Sequence, residues 1–253
     1  MSPEWWTYAV FFLLGVIVSF INSIAGGGSS LSLPIMIFLG LPPTVANGTN
    51  RIGIFIGNIS SALHLARGGN LDKKVLKQLI LPTLLGAVLG MFLIVRLNDE
   101  LLKLLIALAI CMVTVFSNLK PTVLGKPREK PPEKLSPGGF FLFLGTALYG
   151  CVLQIGVGFM QIFALSRYTG LDLIRVNALK TALTTIFLSL STIALAIHGK
   201  VQWGLGITMA VGATLGGYLG SKIQQKRGKT FVRRFIGIAS IGLALYLIYD
   251  VIF

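Results

Sequence analysis

Acidic residues, cysteine and histidine are scarce in this sequence: 8 Asp plus Glu, two Cys and two His in 253 residues. Carboxylates this sparse offer no paired-acid site for general acid–base work, and no His/Cys cluster has metal-ligand spacing. A Walker loop is missing too, so nothing points to ATP hydrolysis or to an enzyme of another kind, and no cofactor or metal is expected. Cys111 and Cys151 stand in apolar stretches and read as buried free thiols. Charged residues make up 12% of the chain, where a soluble domain has about 25%.

What the chain has instead is apolar sequence: 54% of residues are hydrophobic and the mean hydropathy is +0.83. The apolar runs are about 20 residues long, the length that carries a helix across roughly 30 Å of hydrocarbon. The period-2 alternation of an outer-membrane barrel is missing. These features predict an all-α, polytopic membrane protein. The formal charge of +14 sits mostly in short loops, as the positive-inside rule requires, so nucleic acid is not an expected partner. Trp5–Ile24 follows Glu4 with no basic residue ahead of it, and reads as a first span with interfacial Trp5, Trp6 and Tyr8.

The most informative stretch is 25–51: AGGGSSLSLP, then IMIFLGLPPTV, then ANGTNR. A glycine run leads into an apolar piece, 29–40, that is about 18 Å long as a helix, half a membrane. Flexible polar backbone of this kind is tolerated in a bilayer only where it lines a cavity inside protein. Further crossings are expected over 44–66, 79–95 and 101–118, with a basic loop at 67–77 (Arg67, Lys73, Lys74, Lys77). Residues 120–137 hold Pro121, Pro127, Pro131, Pro132 and Pro137 among five basic residues, and read as a cytoplasmic linker. The plan then repeats over 138–154, 156–168, 173–197, 203–223 and 231–253.

An ungapped offset of 130 aligns the halves: Gly15 with Gly145, Gly26 with Gly156, Gly28 with Gly158, Gly40 with Gly170, Asn47 with Asn177, Gly69 with Gly199, Gly86 with Gly216 and Gly90 with Gly220. The domain expectation is therefore a first repeat at 1–119, the linker at 120–137 and a second repeat at 138–253. Matching loops differ in charge: 67–77 is basic, while its counterpart 198–202 carries only Lys200. Five crossings per half, an odd number, lead to the same conclusion. The expectation is two inverted-topology repeats with broken helices at the midplane and both termini outside.

In such a plan half-helix N-termini turn bare N–H groups and positive dipole ends on an anion. The candidate substrate-binding residues are Gly26, Gly27, Gly28, Ser29 and Ser30 in the first copy, and Gln154, Gly156, Gly158 and Gln161 in the second. Close helix packing is the competing explanation for the glycines; it suits Gly86/Gly90 and Gly216/Gly220 better than three glycines followed by serines. The helix that opens with ANGTNR adds Asn47, Asn50 and Arg51, and its counterpart adds Asn177, Lys180 and Thr181. One cation per half, a single position apart, suits a small anion. Both also lie near helix starts, where they could snorkel to headgroups. His64 could relay protons, and a plain helix-end histidine is an equally good reading.

At AGGGSSLSLP, GLPP and ANGTNR the sequence resembles the TauE/SafE sulfite exporter family (TSUP), and the resemblance runs over nearly the whole chain. It implies two repeats of this plan and movement of sulfur-containing anions such as sulfite, sulfoacetate or other organosulfonates across the bacterial inner membrane. The expected function is a secondary transporter working by alternating access, with a passive anion channel or uniporter as the alternative. The expected partners are a small anionic substrate and the lipid bilayer, with assembly into a homo-oligomer left open.

Overall fold

The computed structural model describes residues 4–24, 27–118 and 131–224. The expected crossing at 231–253, most of the linker, the basic segment from 225 onward and the candidate Gly26 lie outside the described residues. All regular structure within them is helical: α1 (Trp5–Ile24), α2 (Ser29–Phe38), α3 (Pro43–Arg67), α4 (Lys73–Ile94), α5 (Asp99–Asn118), α6 (Pro137–Val152), α7 (Val157–Thr169), α8 (Leu173–Ile197) and α9 (Trp203–Gln224). The basic loop expected at 67–77 is shorter than that. Asp72 accepts from the Val75 N–H and starts α4 at Lys73, so three of its four cations lie on the first turns of a helix.

Local chemistry sets the boundaries. Pro43 opens α3 at the position where a missing N–H costs nothing. Left-handed glycines follow four helices at positions 130 apart, Gly40 with Gly170 and Gly69 with Gly199. Asp99, at the start of α5, accepts from the Thr44 N–H and brings a carboxylate to the positive end of α3.

The exposed surface is apolar where that of a soluble protein is polar. On α4 the exposed face carries Leu81, Leu85, Val88, Leu89 and Phe92, while Pro82, Thr83, Gly86 and Gly90 face inward. On α9, Ile207, Val211, Leu215 and Leu219 are exposed in the same way. Arg51 meanwhile is fully buried, and Lys180 is 2% exposed. An apolar exterior, around a mostly apolar core that also buries polar and charged groups, is what a lipid solvent selects. Three described helices, Trp5–Ile24, Lys73–Ile94 and Leu173–Ile197, are long and apolar enough to cross a membrane.

Glycine sets how the helices meet. A Cβ on Gly212 would lie 2.1 Å from the Phe12 carbonyl, one on Gly216 2.1 Å from that of Val16, and one on Gly220 2.7 Å from that of Phe20. Both chains advance together, so α1 and α9 run in the same direction. Between α4 and α6, Gly86 meets Leu144 and Gly90 meets Leu148 and Cys151, again in the same direction. Helix α3 lies beside α1 and α9 through Gly57, whose Cβ would fall 1.9 Å from Ser19 Oγ. The start of α3 rests on the turn that ends α8, where a Cβ on Gly48 would be 1.8 Å from the Lys200 carbonyl.

One aligned pair separates packing from repeat. A Cβ on Gly15 would lie 2.1 Å from the Met209 carbonyl, whereas Gly145 has nothing within 4 Å among the described residues. Gly15→Ala should cost about 1–3 kcal/mol of overpacking. Gly145→Ala should be neutral or stabilising, by up to about 1 kcal/mol. Thermal unfolding of the purified variants in detergent measures both.

Candidate functional site

Two helices stop inside the bundle. Helix α1 ends at Ile24 and the chain re-enters at α2, 10 residues long; α6 ends at Val152 and the chain re-enters at α7, 13 residues long. At 1.5 Å per residue these pieces are about 15 and 20 Å, half or two-thirds of the hydrocarbon thickness. The re-entrant tips touch, since a Cβ on Gly27 would be 2.5 Å from the Phe159 ring. Asn22 Oδ1 accepts from the Gly28 N–H at 2.8 Å and closes the first turn-back.

Each break exposes the C-terminal carbonyls of a helix, and each is met by a cation from the other half of the chain. Arg51 Nη2 donates to the Val152 carbonyl at 2.9 Å, and Lys180 Nζ donates to the Asn22 carbonyl at 2.6 Å. These two carbonyls are themselves 130 positions apart. A cation at a helix C-terminus satisfies orphan acceptors and the negative dipole end together. Arg51 also donates to Ser191 Oγ at 2.6 Å, and Asn47 Nδ2 adds a second donor to the Val152 carbonyl at 3.2 Å. Neither cation has a carboxylate in ion-pair reach among the described residues.

A cavity of about 20 Å³ lies between the breaks. From the first half Asn22, Ser29, Ile54 and Asn58 line it; from the second, Gln154, Val157, Gly158, Lys180 and Thr184. Ser29 is the first residue of α2, and Val157 and Gly158 are the first two of α7, so both half-helix N-termini border one space. Gly156, just ahead of α7, is left-handed at φ 69°. Gln154 is left-handed as well, at φ 63°, the one such non-glycine residue among those described. That conformation costs a side-chain-bearing residue about 1–2 kcal/mol. Its carboxamide is 2% exposed, and neither its oxygen nor its nitrogen has a partner.

Of the residues expected at the site, Ser29, Gln154, Gly158 and Lys180 therefore meet at the cavity. Gly27, Gly28 and Gly156 shape the breaks. Ser30 donates to the Gly27 carbonyl, and Asn50 accepts from Ser32 Oγ at 2.6 Å, which ties α2 to α3. Gln161 accepts from Thr184 at 2.7 Å, one side chain behind the cavity wall. Arg51 and Asn47 hold the second break and do not line the cavity. Thr181 bonds carbonyls of its own helix, and Asn177 is buried with both amide atoms unpartnered. His64 sits six residues beyond Asn58, about 9 Å along α3, against the edge of the Tyr218 ring. Cys151 is fully buried, with Sγ donating to the Ala87 carbonyl, and Cys111 is half-buried. Asn22, Ile54, Asn58, Val157 and Thr184 were not among the expected residues.

A helical membrane protein with two broken helices around a cation-lined cavity is a membrane transporter by class. The family model for the sulfite exporter TauE/SafE matches residues 11–247, and the chain belongs to that family. It is 27% identical to the "Probable membrane transporter protein" of Haemophilus influenzae, over 96% of this chain and 94% of that one. It is 30% identical to the "Probable membrane transporter protein ORF9" of Sinorhizobium sp, over 96% and 92%. It is 26% identical to the "Probable membrane transporter protein YfcA" of Escherichia coli K12, over 95% and 89%. No solved structure matches.

Arg51→Lys keeps the charge but loses the fork that reaches Val152 and Ser191 together. Loss of one charge-assisted hydrogen bond should lower stability by about 1–3 kcal/mol, read as an earlier thermal unfolding midpoint in detergent. An unchanged midpoint would mean that the guanidinium does not hold the break.

Proposed function

We propose that the protein is a secondary transporter that moves a small sulfur-containing anion, of the sulfite or organosulfonate kind, across the bacterial inner membrane by alternating access. The observation that carries this reading is the cavity with two half-helix N-termini and one buried cation, Lys180, on its wall. Donors and dipole ends turned on one space favour an anion, and ammonium and backbone N–H groups suit sulfur oxyanions. The sulfur-containing class comes from the family.

A space of about 20 Å³ has room for one water, not for a sulfonate. The substrate must enter by a change of shape, which favours rocking halves over a standing pore. Helix directions support inverted halves. Helix α3 runs with α1, and α4 turns back from α3 through 68–72. Two halves in the same orientation would set α9 against α1; instead α1 runs with α9 and α6 with α4. With Arg67, Lys73, Lys74 and Lys77 on the cytoplasmic side, the N-terminus lies outside.

The test is uptake of a radiolabelled monoanionic organosulfonate or of sulfite by proteoliposomes of the purified protein. Alternating access with a driving gradient gives accumulation above the outside concentration, and a passive channel or uniporter gives equilibration only. A buried cation without a carboxylate partner is a cost to the fold. Lys180→Met removes that cost but also leaves the Asn22 carbonyl without its donor, two opposed effects, so it should abolish uptake in protein that still unfolds cooperatively. Wild-type uptake by that variant would remove Lys180 from the site.

A further inference from the structure

The unusual residue in this cavity is Gln154. Its backbone is left-handed, and the neighbouring residues hold it there from both sides: Arg51 and Asn47 on the Val152 carbonyl, and Tyr149 Oη donating to the Ile155 carbonyl at 2.7 Å. Its carboxamide lines the cavity, nearly fully buried, with oxygen and nitrogen both unpartnered. A buried amide without partners is destabilising, and strain of this kind persists where the surroundings over-determine it. Both costs fall on one residue on the wall of the candidate site.

The other polar groups on that wall narrow what the amide can meet. Thr184 spends its hydroxyl proton on Gln161, so it has only lone pairs to offer. Asn58 gives one amide N–H to the Ile54 carbonyl and keeps the other N–H and its oxygen. Lys180 gives one proton to the Asn22 carbonyl and retains two. The wall thus combines donors from Lys180, Gln154, Ser29, Asn22 and Asn58 with acceptor oxygens from Gln154, Asn58 and Thr184. An anion carrying acceptors alone would leave those oxygens facing its own. A dianion would bring a second charge with only one cation to meet it.

We propose that Gln154 is a specificity-determining residue: its amide, offering donor and acceptor together beside Lys180, selects a monoanion that itself donates a hydrogen bond. The ligand class is an oxyanion of single charge with a hydroxyl or acidic proton. This rests on the transport reading above and refines its substrate.

The experiment compares proteoliposome uptake of three sulfonates: 2-hydroxyethanesulfonate, ethanesulfonate, which lacks only the hydroxyl, and 1,2-ethanedisulfonate, a dianion. Wild-type protein should take up the hydroxyl compound at least about tenfold faster than ethanesulfonate and should exclude the disulfonate. Gln154→Leu should bring the first two within about twofold. Gln154→Gly keeps the left-handed backbone without strain and should lose discrimination in the same way while unfolding no earlier than wild type. Equal wild-type uptake of the two monoanions overturns the proposal and leaves the transport reading standing. Discrimination that survives in Gln154→Gly overturns it as well. Uptake of none of the three overturns both.

Discussion

Backbone polar groups in lipid must find partners within the protein, and two helices of this chain end inside the bundle. The rest of the structure follows from how those ends are satisfied. The last carbonyls of α1 and α6 belong to buried residues and are acceptors at the negative ends of helix dipoles. Each receives a cation from the opposite half, Lys180 on Asn22 and Arg51 on Val152. The contact that repairs each break also joins the halves, so neither half is complete alone.

The two repairs are not equivalent, and that difference separates scaffold from site. The Arg51 fork is engaged by Ser191 and Val152, which makes it a brace. Lys180 touches one carbonyl and keeps protons for the cavity that it lines. The aligned positions differ by one residue, about 100° around a helix, which is enough to turn one cation toward the break and the other toward the space beside it. Gln154, held left-handed between braced neighbours, then contributes an amide to the same space.

Much of this was legible in the sequence because its cause is local. The helical class follows from the apolar run lengths, and the short α2 and α7 from the glycine clusters that precede them. The glycine register at 130 anticipates the paired left-handed caps at Gly40 and Gly170 and at Gly69 and Gly199. Ser29, Gln154 and Gly158 were readable as helix-break residues and Lys180 as a cation on the helix that follows, and these four line one cavity. What sequence could not give was the direction of a side chain across the bundle. Asn47 and Arg51, four residues apart, share a helix face, but that face meets Val152 and not the cavity. Asn22 was hidden because an asparagine near a helix end is ordinary until its carbonyl is seen to receive Lys180.

The most direct measurement is the position of a bound anion. In crystals of the protein grown with 2-bromoethanesulfonate, bromine marks the ligand by anomalous scattering. The account predicts a peak between the two breaks, with the sulfonate within hydrogen-bond distance of Lys180 and Ser29. A peak elsewhere in the bundle or on the lipid-facing surface, with that space unfilled, would contradict it.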